Sequence, residues 1–229
     1  MSLRAKRSNL IVKLPPPQLK GKVSIEEAIA KRRSVRRYRS EPLTLSQLSQ
    51  ILWSAQGITG VGKLRAAPSA GATYPLEIFV VIGKQAVSYE PEAKRPQEEL
   101  QAGIYHHEVD SHSLSLHKLG DLRLDLARAA LDEGFIAEAP VDIVICAIYP
   151  RTSYTYGRRG ERYVHMEVGH VGENIHLQAV ALGLATVEVG AFDDEEVRKV
   201  LGVEEQIKPL YIMPVGISHN LSLEGRGIR

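Results

Sequence analysis

The chain of 229 residues is 44% hydrophobic and 24% charged, the composition of a globular protein large enough to bury a core without a disulfide or a metal. Its formal net charge of +2 is too small to indicate nucleic-acid binding by the whole chain, and its single cysteine, Cys146, excludes an intramolecular disulfide. No apolar stretch is long enough to span a bilayer, so we expect a reducing, cytoplasmic location.

The N-terminal part of the chain is predicted to be an arm followed by two helices. Residues 1–22 are basic and contain Pro15-Pro16-Pro17, which favours an extended arm ahead of one domain at residues 23–229. Capping-box sequences begin at Ser24 and at Thr44, each with Glu or Gln three residues later, and these predict the starts of the two helices.

The rest of the chain is predicted to mix strands and helices without steady alternation, which favours an α+β domain with a mixed central sheet flanked by helices. A loop of small residues is predicted at residues 66–74, and a polar surface loop at 87–101. The long helix is apolar nearly all round, so we expect it to be central and to pack against both the sheet and another subunit. The predicted strands are 77–82, 141–149, 184–189 and 210–215, with a hairpin at 103–117 and helices at 121–131, 162–182 and 193–201.

The basic segment, Arg32-Arg33-Ser34-Val35-Arg36, is the first candidate site. Twelve of the 29 Lys and Arg residues lie between Arg4 and Arg39, where only Glu26 and Glu27 are acidic. Guanidinium groups bind phosphate in a bidentate manner and Ser adds a hydroxyl donor, so this segment could hold an anionic ligand. The spacing alone favours a solvated basic helix end over a phosphate site.

The second candidate is Ala67-Pro68-Ser69-Ala70-Gly71-Ala72, where small residues would let the backbone approach a planar ligand closely. Taken alone, this stretch favours an ordinary loop over a ligand site. No Rossmann or P-loop motif is present, and no Ser-His-Asp or Cys-His arrangement can be identified. If the protein is an enzyme, a cofactor must therefore carry its chemistry.

Two Glu-x-x-His units, Glu167 to His170 and Glu173 to His176, suggest a metal site at first sight. Diiron proteins place such units on separate facing helices, whereas both units here lie on one predicted helix and point in opposing directions. We therefore expect these histidines to be structural, and we predict no metal.

Together the segments resemble the FMN-dependent nitroreductase superfamily, in particular its SagB-type dehydrogenase branch, which includes the peptide azoline oxidases. The resemblance covers about residues 24–218, and the order and spacing of the motifs are more specific than any one motif. The matching segments are Arg32–Tyr38, Ala67–Glu77, Gly103–Tyr105, Tyr156–Tyr163, Glu167–Asn174, Gly183-Leu184, Gly190–Asp193 and Pro214–Gly216.

The resemblance implies an FMN cofactor at the interface of an obligate homodimer, with flavin N5 rather than a catalytic side chain carrying the chemistry. It implies that one subunit binds the phosphate and ribityl chain, that the partner packs on the flavin ring, and that a backbone amide reaches N5. The implied cofactor-binding residues are Arg32, Arg33, Ser34 and Arg36 at the phosphate; Pro68, Ser69, Ala70 and Gly71 from the partner; and Glu188, Val189 and Gly190 along the ring.

Three features of the chain help to decide which activity of the family to expect. The branch usually has Gln where this chain has Glu173, and the only late basic candidates for the phosphate are Arg226 and Arg229. The short arm favours a stand-alone reductase that passes hydride from NAD(P)H through FMN to a small organic acceptor.

The alternatives are a peptide azoline dehydrogenase that forms thiazoles or oxazoles with a cyclodehydratase and, more remotely, a non-enzymatic basic module that binds a phospholigand or nucleic acid. The sequence leaves open the acceptor and the choice between NADH and NADPH. In this family, substrate choice is expected to reside in loops around the flavin, here 57–64, 87–103 and 151–160.

Overall fold

The computed structural model describes residues 10–89 and 99–219. Arg226 and Arg229 therefore lie outside the described residues, as do residues 1–9 of the predicted arm. The helices are α1 (Ile25–Lys31), α2 (Leu45–Gln56), α3 (Arg123–Ala129), α4 (Gly134–Glu138), α5 (Pro150–Tyr156), α6 (Arg159–Ala181) and α7 (Asp194–Leu201). The strands are β1 (Ile11–Lys13), β2 (Leu43–Thr44), β3 (Leu76–Ile82), β4 (Val87–Ser88), β5 (Gly103–Glu108), β6 (Ser113–Leu119), β7 (Val141–Ala147), β8 (Ala185–Thr186) and β9 (Lys208–Gly216).

A seven-stranded sheet in the order β1-β6-β5-β3-β7-β9-β8 forms the centre of the domain. Its strand ladders are antiparallel, and parallel pairing enters at the β8 edge, where Ser34 bridges Thr186. Strands β2 and β4 form a separate parallel pair. The predicted α+β fold with a mixed central sheet is confirmed, and the parallel component of the central sheet lies at this edge.

Alternate residues of each central strand face two separate hydrophobic layers, as the two-residue period of a strand requires. Val80 faces the layer that contains α2 and α6, whereas Val81 faces the layer that contains α3, α4 and α7. Cys146 is fully buried in the second layer, where burial raises the pKa of its thiol. Both faces of the sheet are thus covered by helices.

Helix α6 is longer than predicted at its start and ends one residue before the predicted terminus, followed by Gly183 with a φ of +70°. One face, which includes Val164, Val171 and Ile175, is buried against the sheet. The opposite face is exposed in the single chain, so α6 is not buried all round by its own chain. The exposed residues of that face are Arg162, His165, Met166, Gly169, His170 and Glu173.

The local signals in the sequence vary in how completely they appear in the structure. At Thr44 the side chain accepts a bond from the Gln47 amide, and the Thr44 amide donates to Oε1 of the Gln47 side chain, which completes a capping box. At Ser24 only the bond from the Glu27 amide to the Ser24 hydroxyl is present.

Five elements were not predicted, and they explain where the sequence interpretation was incomplete: β1, β2, β4, α4 and α5. Strand β2 has only two residues, too few to show the period of a strand. Strand β1 lies within the predicted arm, and it pairs with β6 because Val12 and Leu14 reach the core. Strand β4 lies within the predicted polar loop 87–101, where Val87 is buried; residues 90–98 of that loop are outside the described part of the chain. Helices α4 and α5 are only five and seven residues long, too short for a clear apolar period.

Candidate functional site

The basic segment leaves the end of α1 and runs along the β8 edge of the sheet. The Val35 amide donates to the Thr186 carbonyl at 3.0 Å, and Ser34 forms a parallel bridge with the same residue. These backbone contacts fix the path of the segment, while the side chains of Arg33, Ser34 and Arg36 remain exposed. The segment thus presents charged and hydroxyl groups from a fixed backbone.

The arginines of the basic segment have different surroundings. The Arg33 guanidinium donates to the carbonyls of Ala30 at 3.1 Å and Arg32 at 2.6 Å, which stabilises the C-terminal end of α1. Arg32 lies within electrostatic reach of Glu188 and helps to lower the pKa of that carboxyl. Among the described residues, Arg36 forms no ion pair with an acidic side chain, so its charge is available to a ligand.

A surface cleft of about 740 Å³ lies between the basic segment, β8 and the C-terminal half of α6. Arg33, Ser34, Arg36 and Thr186 contribute to its lining. The Thr186 hydroxyl is buried and has no hydrogen-bond partner among residues 10–89 and 99–219. Two guanidinium groups, an exposed hydroxyl and an unpartnered hydroxyl form a donor set that fits a phosphate-bearing ligand.

Glu188 is bonded to His176, a buried histidine that lines the cleft. The His176 Nε2 atom lies 2.7 Å from Glu188 Oε2, and the histidine side chain is only 2% exposed. Burial alone would raise the pKa of Glu188, but the hydrogen bond and charge of His176 bring it below its usual value. The other carboxyl oxygen lies over Gly172, where an added Cβ would approach it to 3.4 Å.

The hydrogen bonds of the backbone after Glu188 show which amides are already used and which could donate to a flavin ring. The Val189 amide donates to the Ile212 carbonyl at 2.9 Å, and the Ile212 amide returns a bond at 3.0 Å, so the Val189 donor is already used. Gly190 is exposed, and its amide has no backbone partner among the described residues. Gly190 is therefore a predicted ring-lining residue whose amide has no backbone partner in the described part of the chain.

The small-residue loop, residues 66–74, is held in a strained conformation. The φ angles are +59° at Gly71, +53° at Ala72 and +44° at Tyr74, and only glycine adopts such values without a steric cost. An added Cβ at Gly71 would lie 2.7 Å from the Tyr156 hydroxyl of α5. Backbone strain of this kind persists only where the surroundings enforce it, and it is frequent at ligand-binding sites.

The loop and the basic segment lie at different places on α6 within one chain. The turn Ala70–Ala72 packs against α6 near Glu167, whereas His176 belongs to the cleft at the other end of the helix. Nine residues separate the two, which corresponds to about 13 Å along the helix axis. The structure therefore unites the predicted phosphate-binding residues with the Glu188 region, and it leaves Pro68, Ser69, Ala70 and Gly71 apart from them.

A buried polar cluster behind the loop was not assigned a role by the sequence. Arg65 donates to the Gln56 side chain at 2.7 Å and its guanidinium lies 4.4 Å above the Tyr74 ring. Glu167 is 3% exposed beside this cluster. The Glu-x-x-His pattern did single out Glu167 and His176, and these are the buried members of the two units, but spacing could not reveal their partners.

A chain of charges also supports the loop from the sheet side. Arg151 of α5 donates to the Tyr74 carbonyl at 3.2 Å and pairs with Glu77. Glu77 in turn lies 2.6 Å from His106 Nε2, and the other ring nitrogen of His106 lies 2.9 Å from Glu108. Burial would lower the pKa of His106, but the two carboxylates raise it above its usual value.

Comparison with known proteins gives a consistent assignment. The model of the Nitroreductase family matches residues 29–217. The Methanocaldococcus jannaschii protein named "Putative nitroreductase MJ1384" is 46% identical over 194 residues, which cover 85% of this chain and 91% of that protein.

Two solved structures of lower identity share the fold. One chain of the Escherichia coli microcin synthetase McbBCD complex with truncated pro-MccB17 bound has a TM-score of 0.66 and 23% identity, covering 89% of this chain and 76% of that one. The NADPH:FMN oxidoreductase of Vibrio harveyi complexed with NAD+ has a TM-score of 0.58 and 18% identity, covering 85% of this chain and 69% of that one.

Two further observations concern membranes and metals. Within the described residues, no helix is both long and apolar enough to cross a membrane. The same residues contain no group of three or more His, Cys, Asp and Glu side chains arranged to hold a metal ion.

Proposed function

The chain belongs to the nitroreductase family of oxidoreductases, and on that premise we propose that it is an FMN-dependent enzyme that transfers hydride from NAD(P)H to a small organic acceptor. FMN, when bound, supplies the two-electron chemistry that the side chains of the protein lack. We place the enzyme in the cytoplasm as a homodimer, in keeping with the composition and with the exposed face of α6.

The observation that carries this proposal is the cleft beside β8. The backbone of the basic segment is fixed along Thr186, whose buried hydroxyl lacks a partner among the described residues, while Arg36 retains an unpaired charge. Arg32, Arg33, Ser34 and Arg36 would hold the flavin phosphate and ribityl chain there. A nucleotide phosphate would gain charge-assisted hydrogen bonds without any ion pair of Arg36 having to break.

The Glu188 region would lie along the flavin ring. His176 fixes the Glu188 carboxylate, and the Gly190 amide would donate to the ring nitrogen that exchanges hydride. Glu188, Val189 and Gly190 would therefore position the ring. Pro68, Ser69, Ala70 and Gly71 would pack on the ring bound by the other subunit, because within one chain they lie about 13 Å along α6 from the cleft.

The proposal is tested by purifying the chain and measuring its visible absorbance, its FMN content per subunit and its mass in solution. We expect a yellow dimer with one FMN per subunit. Anaerobic mixing with NADH and with NADPH should bleach the flavin band with at least one of them. A colourless protein that takes up no added FMN would overturn the proposal.

A second candidate is a peptide azoline dehydrogenase, which would use the same site in the oxidative direction. The structural similarity to a chain of the microcin synthetase complex favours it, although at 23% identity that similarity concerns the fold. This candidate requires azoline-containing peptide to reduce the flavin. Flavin reduction by a nicotinamide but not by such a peptide would decide for the reductase.

The remote alternative is a basic module that binds phospholigands or nucleic acid without catalysis. Such binding would weaken steeply as salt is added, because it depends on the release of counterions. A salt titration with an oligonucleotide and with FMN distinguishes the two, since stoichiometric FMN binding with negligible oligonucleotide binding excludes the module.

A further inference from the structure

The Tyr149 hydroxyl and the His165 imidazole form a hydrogen-bonded pair that has no part in the proposed binding of FMN. The Tyr149 hydroxyl lies 2.6 Å from His165 Nε2, and the two rings meet edge to face with their centroids 5.7 Å apart. Tyr149 is half-buried immediately before α5, whereas His165 is exposed on α6. A phenol bonded to an imidazole that reaches solvent is a pair through which a proton can move.

His165 lies on the side of α6 that borders the cleft. Residues four or seven apart along a helix share a face, so His165, Gly172 and His176 lie on one side of α6. Gly172 faces Glu188, and His176 is bonded to the same carboxylate. Glu167, two residues after His165, is turned by about 200° to the other side, towards the small-residue loop.

The side of α6 between this pair and the proposed ring-binding residues is open. Gly169 lies one turn from His165, and an added Cβ there would meet no atom within 4 Å in the described part of the chain. Further along, the Tyr211 ring lies against both Gly172 and Gly190, with carbon atoms 3.7 Å and 3.5 Å from the Cβ positions of the two glycines. The pair, the open space over Gly169 and the Gly190 region therefore follow one another along the helix.

A second observation places Tyr149 beside the same region. Burial raises the pKa of the Tyr149 phenol, and the carboxylates of Glu161 and Asp194 raise it further. Asp194 is within electrostatic reach of the phenol and only four residues after Gly190, so Tyr149 lies near the end of the segment that would follow the flavin ring. The phenol also keeps its proton in neutral solution and is able to donate it.

We propose that Tyr149 and His165 supply the proton that accompanies hydride to the acceptor, and that the acceptor is a quinone lying over Gly169, where no side chain obstructs a flat ring. This inference rests on the proposed function. Hydride from NAD(P)H brings the quinone two electrons and one hydrogen, and it leaves a negative charge on one quinone oxygen. The O–H bond of Tyr149 breaks as its proton joins that oxygen, which gives the neutral hydroquinone. His165 passes a proton to the resulting phenolate and regains one from solvent.

The test compares two electron acceptors in stopped-flow reoxidation of the reduced, FMN-loaded protein. Benzoquinone needs a proton with its hydride, whereas ferricyanide takes single electrons and no proton. Tyr149→Phe should slow reoxidation by benzoquinone on the order of a hundredfold and leave reoxidation by ferricyanide unchanged. His165→Gln should have a smaller effect in a single turnover, because Tyr149 still holds its own proton at the start.

Two matched variants remove the same groups elsewhere in the sheet. Tyr105→Phe removes a tyrosine hydroxyl that bonds the Gln101 carbonyl, and His117→Gln replaces a histidine that lies 3.1 Å from the Gly202 carbonyl. Both should keep the wild-type rates with both acceptors. A second readout needs no flavin: the NMR shifts of the His165 imidazole nitrogens in FMN-free protein should change in Tyr149→Phe and stay unchanged in Tyr105→Phe.

The inference is overturned if Tyr149→Phe slows both acceptors equally, because the hydroxyl would then support the fold or the flavin rather than donate a proton. It is also overturned if benzoquinone reoxidises Tyr149→Phe at the wild-type rate, or if the His165 shifts do not respond to that change. A wild-type chain that binds no FMN refutes the proposed function and this inference with it. A wild type that reduces both acceptors, beside a Tyr149→Phe variant that does so equally fast, refutes this inference alone.

Discussion

The basic segment and the small-residue loop are held in place by opposite means. The basic segment is tied down through its backbone, by Val35 and Ser34 along Thr186, while its charged groups face outward. The loop is held largely through side chains, with Ser69 and Tyr74 at the centre of a half-buried polar network. A site that must supply charge keeps its side chains free, whereas a site that must supply shape uses its side chains to fix a strained backbone.

The largest effect is expected from Arg36→Ala in the basic segment, because this change directly removes a charge that has no ion pair within residues 10–89 and 99–219. A charge-assisted hydrogen bond contributes about 1.5–3 kcal/mol, so FMN should bind roughly tenfold to a hundredfold more weakly. Fluorescence titration of the apoprotein with FMN measures the change. Arg128→Ala removes an arginine from an exposed pair on α3 and should leave the affinity unchanged. If Arg36→Ala binds FMN with wild-type affinity, the basic segment does not supply charge to the ligand, and the contrast with the loop is wrong.

Gly71→Ala addresses the loop, where shape rather than charge is at stake. A non-glycine residue in the left-handed region costs about 1–2 kcal/mol, and the new Cβ would also press on the Tyr156 hydroxyl. Gly62→Ala is a matched control, since Gly62 has a φ of +75° but nothing within 4 Å of an added Cβ. Urea unfolding should show a greater loss for Gly71→Ala. Equal losses would mean that the contact with α5 contributes nothing to the loop.

His176→Ala tests whether the cleft also depends on a fixed side chain. The change leaves the half-buried Glu188 carboxylate without its partner, at a cost of about 1–2 kcal/mol in the free energy of unfolding. Because the folded state lowers the pKa of Glu188, its contribution is present above its usual pKa of 4.5 and is lost as the pH falls through the lower folded value.

Unfolding of the His176 variants should therefore be compared at about pH 7 and about pH 3.5. His176→Gln keeps a donor and should lose less stability than His176→Ala. A loss that is the same at both pH values would show that His176 acts by packing rather than through Glu188.

The smallest effect is expected from His106→Gln, in the chain of charges behind the loop. The pKa of His106 is raised in the folded state, so its contribution is complete below the usual value of 6.5 and is lost as the pH rises through the higher folded value. The partly exposed ion pairs limit this contribution to about 1 kcal/mol or less. Thermal unfolding should separate wild type and variant in mildly acidic solution and bring them together in alkaline solution.

Much of the fold could be predicted because its signals are local. The capping sequence at Thr44 and the apolar run of β3 depend on residues adjacent in the chain, and both appear where expected. Strand β1 could not be predicted, since Val12 becomes buried only when β6 pairs with it. Short elements such as α4 depend in the same way on contacts that are distant in the sequence.

The candidate site was predictable to the extent that its residues follow one another. The basic segment stands out as a run of charge, and its position beside β8 is consistent with that prediction. The roles of other site residues depend on partners in other elements, as for Glu167, Arg65 and His176. Arg65 bonds Gln56, and His176 bonds Glu188 twelve residues later. Spacing along one helix showed that the two Glu-x-x-His units diverge, but it could not show what each would meet.

The distance between the cleft and the loop along α6 has a genetic consequence. If each flavin is held by the cleft of one subunit and the loop of the other, an allele defective in the cleft and an allele defective in the loop damage different halves of the site. A heterodimer of the two would carry one site with both defects and one site with neither. Two inactive alleles expressed together should therefore restore activity that neither provides alone.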